Sequence, residues 1–211
     1  MFEILVSPAV EFLKRLDVWW KDRSERNLSA LRSAFEQEVA QVFASVERIH
    51  KDYTLNLVQL RQKLENHSVP SKEVIDWIEM QGLAYRHERD ALYAYEDQVF
   101  SASSLPIDPT SGKAEALAYS TREFLRSVSK YLWSATGHND LSFYRDFSQE
   151  LTAIWKCHQL TGEAPSVCFE GEVIADMCTA LREATDVALP RAWTEVVIKF
   201  KSARQALLAL K

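Results

Sequence analysis

Three groups of residues in this chain have types and spacings that could do chemistry. Glu47-x-x-His50 sets a carboxylate and an imidazole on one helical face, the arrangement by which di-metal carboxylate bundles hold their ions. Such a centre needs the pair twice, plus a glutamate from each of two further helices. The residues three before His67, His87, His138 and His158 are Leu64, Ala84, Ala135 and Trp155, so the second pair is missing. His50 therefore reads as a half-buried residue beside an apolar stripe. Cys157 and His158, with Cys168 and Cys178, supply zinc-type ligands, but gaps of ten and nine residues between the cysteines follow no zinc pattern. The adjacent Cys157 and His158 also point about 100° apart on a helix. No metal site and no cofactor is expected. Gly-x-Gly-x-x-Gly, a phosphate-cradling Gly-rich Lys-Ser/Thr loop and a Gly-x-Ser-x-Gly elbow are all absent from the sequence, which argues against the familiar nucleotide and hydrolase classes.

The third group is Arg61-Gln62-Lys63-Leu64-Glu65-Asn66-His67. Over these seven residues the chain is similar to the Arg-x4–6-His motif of HEPN ribonucleases, with Gln62 where that family carries Asn, Asp or His. The resemblance implies an all-helical dimer that cleaves RNA without a metal. His67 would then do acid–base work on the ribose hydroxyl while Arg61 steadies the phosphate. Read without the resemblance, the same residues are the solvated end of a long helix.

Two further stretches could meet a partner. Ala9, Phe12, Leu13, Leu16, Trp19 and Trp20 share one side of a front helix, an apolar stripe rich in the aromatics that anchor interfaces. Phe12, Leu16, Trp19 and Trp20 are the candidate partner-binding residues, with packing into the protein's own core as the competing reading. Glu3, Glu11, Asp17 and Asp22 balance Lys14, Arg15, Lys21 and Arg23, whereas a membrane-surface helix wants a basic polar face. Near the C-terminus, Glu163 to Asp186 holds six acids and one base, and Arg191 to Lys211 five bases and one acid. Antiparallel packing would let these two segments attract each other. A free last helix would instead offer Lys199, Lys201, Arg204 and Lys211 to nucleic acid or an acidic partner. Arg86-His87-Glu88-Arg89-Asp90 mixes signs in the manner of a solvated helix face.

These residues must be carried by helices. From Pro8 to His67, about sixty residues pass without an internal glycine or proline, and Leu28, Leu31, Phe35, Val39, Val42, Val46, Ile49, Tyr53, Leu57, Leu60 and Leu64 recur at the period of a straight α-helix. Ser7-Pro8 is a helix start, and the wholly polar Lys21–Asn27 predicts a bend that separates a front helix from a main helix ending near Asn66. Val69-Pro70-Ser71 turns the chain into an antiparallel second helix from about Lys72 to Phe100, with Gly82 inside it. Ser101 to Gly112 is a linker. A third helix runs from about Lys113 to Ala135 and stops at Gly137, with Leu117, Thr121, Phe124, Val128, Tyr131, Leu132 and Ala135 facing inward. The fourth, capped by Asp140 and ending near Gly162, buries Tyr144, Phe147, Leu151, Ile154 and Trp155. The fifth begins near Cys168 and carries Val173, Ile174, Met177 and Leu181. Pro190 is expected to break or sharply kink it before a last helix with Trp193, Val197, Phe200 and Leu207 inward. No internal repeat is evident.

The 211 residues fit one cooperative unit: a long N-terminal hairpin over 1–103, a linker at 104–112 and a helical bundle over 113–211. The fold class expected is all-α, an antiparallel α-hairpin packed with a bundle. Hydrophobic residues at 47% and charged residues at 26% exclude a disordered chain. A net charge of −5 speaks against a general nucleic-acid binder. Three cysteines, without a close pair, suggest neither a disulfide framework nor a zinc knuckle and fit a reducing cytoplasm. Phe2–Val6 lacks the basic flank of a secretory signal, and no run is apolar and long enough to span a bilayer. The expected function is non-enzymatic: a protein that binds itself or another protein through its N-terminal helix. The alternatives are the HEPN-like ribonuclease of a toxin or defence system and a peripheral membrane-surface module.

Overall fold

The structure, a computed structural model, describes residues 12, 15, 18, 25–66, 71–84, 112–134, 141–162 and 171–210. Every regular element among them is helical: α1 (Glu25–Ala34), α2 (Ala40–Glu65), α3 (Lys72–Ala84), α4 (Lys113–Ser134), α5 (Leu141–Thr161), α6 (Gly171–Glu183) and α7 (Leu189–Leu208). The all-α class is therefore established. The bend at 21–27, the linker at 104–112, the cap at Asp140 and the stop at Gly137 lie on or reach into segments outside the described residues.

Two wide π turns join helices without interrupting them, Phe35–Val39 between α1 and α2 and Ala184–Ala188 between α6 and α7. The apolar spacing of the sequence explains why they form. Leu31, Phe35 and Val39 are all buried at successive steps of four, and eight residues at 100° each overrun two turns by about 80°. Absorbing one extra residue takes back about 100°, which returns Val39 to the side of Leu31. Leu181, Thr185 and Leu189 repeat the spacing and are buried as well.

The second π turn also corrects the expectation at Pro190. The helical run continues from Gly171 to Leu208 with Pro190 inside it. Proline cannot donate to the carbonyl four residues back and its ring crowds that carbonyl. Just before it, the Leu189 N–H already reaches five residues back to the Ala184 carbonyl. The turn is thus widened where a regular α-helical bond could not be made, and the helix passes the proline without a break.

The described residues fall into two compact units. One takes them from Met1–Ile49, His87–Leu132 and Ala192–Lys211, the other from His50–Arg86 and Trp133–Arg191. In the first unit α4 is buried on most of its circumference: Leu117, Thr121, Phe124, Val128 and Tyr131 form one face, and Ala118, Leu125, Ser129 and Leu132 an adjoining one. An aromatic cluster packs there. Phe43 stacks on Phe200 at 4.2 Å and on Trp193 at 5.5 Å, Phe200 lies 5.4 Å from Phe124, and Tyr131 meets Trp193 edge-on at 6.1 Å. The inner face of α7 is centred on Val196, Ala203 and Leu207. Trp193, Val197 and Phe200, expected at its centre, are half-buried along its flank. The small Ala203 side chain permits close approach that a pattern weighted toward large residues overlooks.

In the second unit Tyr53, Leu57, Leu60 and Leu64 of α2 are buried, as are Ile75 and Ile78 of α3, Leu151 and Ile154 of α5, and Ile174, Met177 and Leu181 of α6. α3 packs on α5. Tyr53 meets Trp77 edge-on at 5.4 Å, and the Lys72 ammonium stands 5.9 Å above the Trp155 ring. α5 ends at Gly162, whose φ of +69° is left-handed and whose N–H donates to the His158 carbonyl at 2.8 Å. Gly162→Ala keeps open space around the new methyl yet forces that φ on an L-residue. The expected cost is about 1 kcal/mol, read as a lower urea midpoint; an unchanged midpoint would contradict it.

Candidate functional site

Among the described residues, Arg61, in the second unit, is the sequence-selected candidate around which the structure gathers the largest set of polar side chains. α2 presents Arg61 and, one turn on, Glu65; the end of α6 and the π turn present Arg182, Thr185 and Asp186. Arg61 Nη1 donates to Asp186 Oδ1 at 2.6 Å and to Thr185 Oγ1 at 2.7 Å, while the Thr185 hydroxyl lies 3.0 Å from the same carboxylate oxygen. Arg182 Nη2 donates to Glu65 Oε1 at 2.7 Å, and Arg61 Nε, buried without a hydrogen bond, stands 4.0 Å from that oxygen. Two guanidinium groups and two carboxylates leave the cluster with no formal net charge.

The charges act on one another as the distances demand. The Arg61 guanidinium, and after it the Thr185 hydroxyl, hold the Asp186 carboxyl below its ordinary range. The hydrogen bond to Glu65 holds Arg182 more firmly protonated. Burial, reinforced by the Glu65 charge and opposed by Arg182, pushes the Cys178 thiol up. That shift disfavours the thiolate, the reactive form of a cysteine.

A depressed carboxyl stabilises the fold above the unfolded-state value and stops doing so as pH falls through the lower folded value. The contribution of Asp186 is therefore complete at neutral pH and fades below the ordinary 3.8. Asp186→Asn lowers the melting temperature at pH 7, and the gap to the parent protein closes as the pH is taken to 3. The gap is small and shrinks with salt, because the Asp186 side chain is 53% exposed. A gap that widens on acidification would contradict the assignment.

The remaining sequence candidates are placed differently. Phe12 is fully buried, its ring edge-on to Phe35 at 5.3 Å, and Arg15 pairs with Glu38 at 3.2 Å. Phe12 is thus packed inside the protein, with the Phe35 ring against it. Leu16, Trp19 and Trp20 lie outside the described residues, as do His67 and the run at 86–90. His50 is half-buried and engaged with neighbours, as is Glu47. Among the described residues no group of three or more His, Cys, Asp or Glu could hold a metal ion. Cys157 is disulfide-bonded, contrary to the expectation of free thiols, whereas Cys178 is a free buried thiol. Lys199 pairs with Glu123 and Arg204 with Glu36, each at 3.2 Å, all four within the first unit. Sequence reasoning passed over Thr185 and Asp186 because only folding sets them beside Arg61, whereas Glu65 stands four residues on in the same helix. Comparison of the chain with protein-family models, curated proteins and solved structures finds no match.

Proposed function

We propose that the protein is a non-enzymatic helical interaction or assembly protein that binds a second copy of itself or another protein through its N-terminal helix. The observation that carries this reading is the commitment of Arg61. The arginine of the Arg61–His67 motif donates instead to Asp186 and Thr185, helix to helix. A HEPN-like nuclease needs that guanidinium on the scissile phosphate. Beside the buried Phe12, Val18 is 61% exposed, and the remaining anchors of the proposed surface are Leu16, Trp19 and Trp20, chosen for their types and spacing.

Light scattering with small-angle X-ray scattering tests the proposal. An assembly heavier than the 24.2 kDa chain, reduced to monomer by Trp19→Glu or Trp20→Glu, supports it. A monomer that captures nothing from a host lysate counts against it. RNA cleavage abolished by both Arg61→Ala and His67→Ala would replace it with the nuclease reading, and flotation with anionic vesicles at low salt with a membrane-surface role.

No described helix is long and apolar enough to cross a membrane. We propose a cytoplasmic location from the odd cysteine count and the lack of a close pair, and the disulfide at Cys157 is the observation that opposes it. Thiol trapping in intact cells should then find Cys157 reduced. Stoichiometric oxidation of Cys157 in the cell would assign an oxidising compartment.

A further inference from the structure

Nearly the same six residues lead into both π turns: Ser29-Ala30-Leu31-Arg32-Ser33-Ala34 ends just before the first, and Thr179-Ala180-Leu181-Arg182-Glu183-Ala184 reaches one residue into the second. Each stretch also makes the same kind of contacts. In the first unit Arg32 donates to the Leu210 carbonyl just past the end of α7, and Glu36, in the turn, accepts from Arg204 further back along that helix. In the second unit Arg182 donates to Glu65, the last residue of α2, and Asp186, in the turn, accepts from Arg61 one turn back. An arginine ahead of the turn holds the far end of an antiparallel helix. An acid within the turn is held by an arginine of that same helix.

A π turn is a rarer arrangement than the α-helical one of the same residues, and something must select it. At Ala184–Ala188 the neighbouring Pro190 removes one α-helical bond and so lowers the cost of the wide form. Arg61 supplies the rest. Its two hydrogen bonds are met only while Thr185 is turned inward and Asp186 stands at its edge, with Val187 exposed. Passing the extra residue out of the turn would rotate Thr185 and Asp186 by about 100° relative to Leu189 and break both bonds.

We propose that Ala184–Ala188 is a two-register element and that Arg61, through Thr185 and Asp186, is the positioning residue that selects its wide register. Withdrawal of Arg61, by a competing charge or by screening, lets the register of α6 move by one residue. The fold thereby carries a latch whose state changes which side chains of α6 face outward.

Hydrogen exchange on the full-length chain, followed by mass spectrometry, tests the latch. Arg61→Gln and Asp186→Asn should each speed amide exchange over 184–190 at least threefold, leave α4 unchanged, and give no further increase when combined. In the unmodified protein, raising salt from about 0.05 to 1 M should speed exchange in the same segment, because the pair is reached by solvent. This arm needs no variant to fold. Unchanged exchange over 184–190 in both variants and in salt would overturn the proposal. So would a rise spread equally over α4, which would make Arg61 a contributor to global stability alone.

Discussion

Phe124→Ala lowers the stability of the first unit by about 3–5 kcal/mol, the range for deleting a fully buried phenylalanine ring. Phe124 has no exposed surface, and its ring lies 5.4 Å from Phe200 and 6.5 Å from Phe43. Neither neighbour is free to collapse into the space, since Phe43 is already stacked on Phe200 at 4.2 Å and on Trp193 at 5.5 Å. The transfer term and the cavity term therefore add in full. A domain of this size commands about 5–15 kcal/mol in all, so the variant loses roughly a fifth or more of its margin. Urea denaturation followed by far-UV circular dichroism gives the difference directly. A cost below about 1 kcal/mol would mean that α4 is not the centre of its unit.

Leu151→Asp in the second unit is expected to abolish stable folding there. Leu151 is wholly buried on the inner side of α5, the helix that packs on α3. A carboxylate at that position has to be desolvated without a partner or taken up as a proton, at a cost of about 5 kcal/mol or more. Leu151→Ala, which removes only methyl and methylene groups, should retain the fold and cost about 2–5 kcal/mol. The pair of variants separates charge burial from cavity formation. A soluble Leu151→Asp protein with the parent melting temperature would show that α5 is turned the other way.

Much of the architecture was legible because helix-forming apolar patterns are local. The eleven residues of the stripe from Leu28 to Leu64 are all buried, α2 ends at Glu65 beside the expected Asn66, and α4 starts at Lys113 as the sequence predicts. Gly162 stops α5 because its backbone takes a φ that the other residues of that helix avoid. The break expected at Pro190 does not occur, because the rule that proline breaks helices assumes regular α geometry. The widened turn, itself favoured by the four-residue apolar steps, removes the conflict that the rule is built on.

The candidate site was legible only in part, and the reason is distance along the chain. Arg61 was selected for a neighbour six residues away, but its hydrogen-bond partners lie 124 and 125 residues on. Periodicity shows which side of a helix faces inward; it carries no information on which charged residue of another helix arrives at its rim. The same holds for Lys199 and Arg204, whose partners in the first unit are Glu123 and Glu36, 76 and 168 residues away.

By itself, then, the sequence determined that this chain folds into helices, where most of them begin and end, and which faces are inward. Those properties follow from apolar spacing, caps and turn residues acting over a few residues. The tertiary structure alone decided that Phe12 is core, that Arg61 is a helix-to-helix clamp, and that two similar stretches each lead into a wide turn held by an arginine. Ion pairs and ring contacts between segments more than a hundred residues apart exist only once packing has paid the entropy of bringing them together.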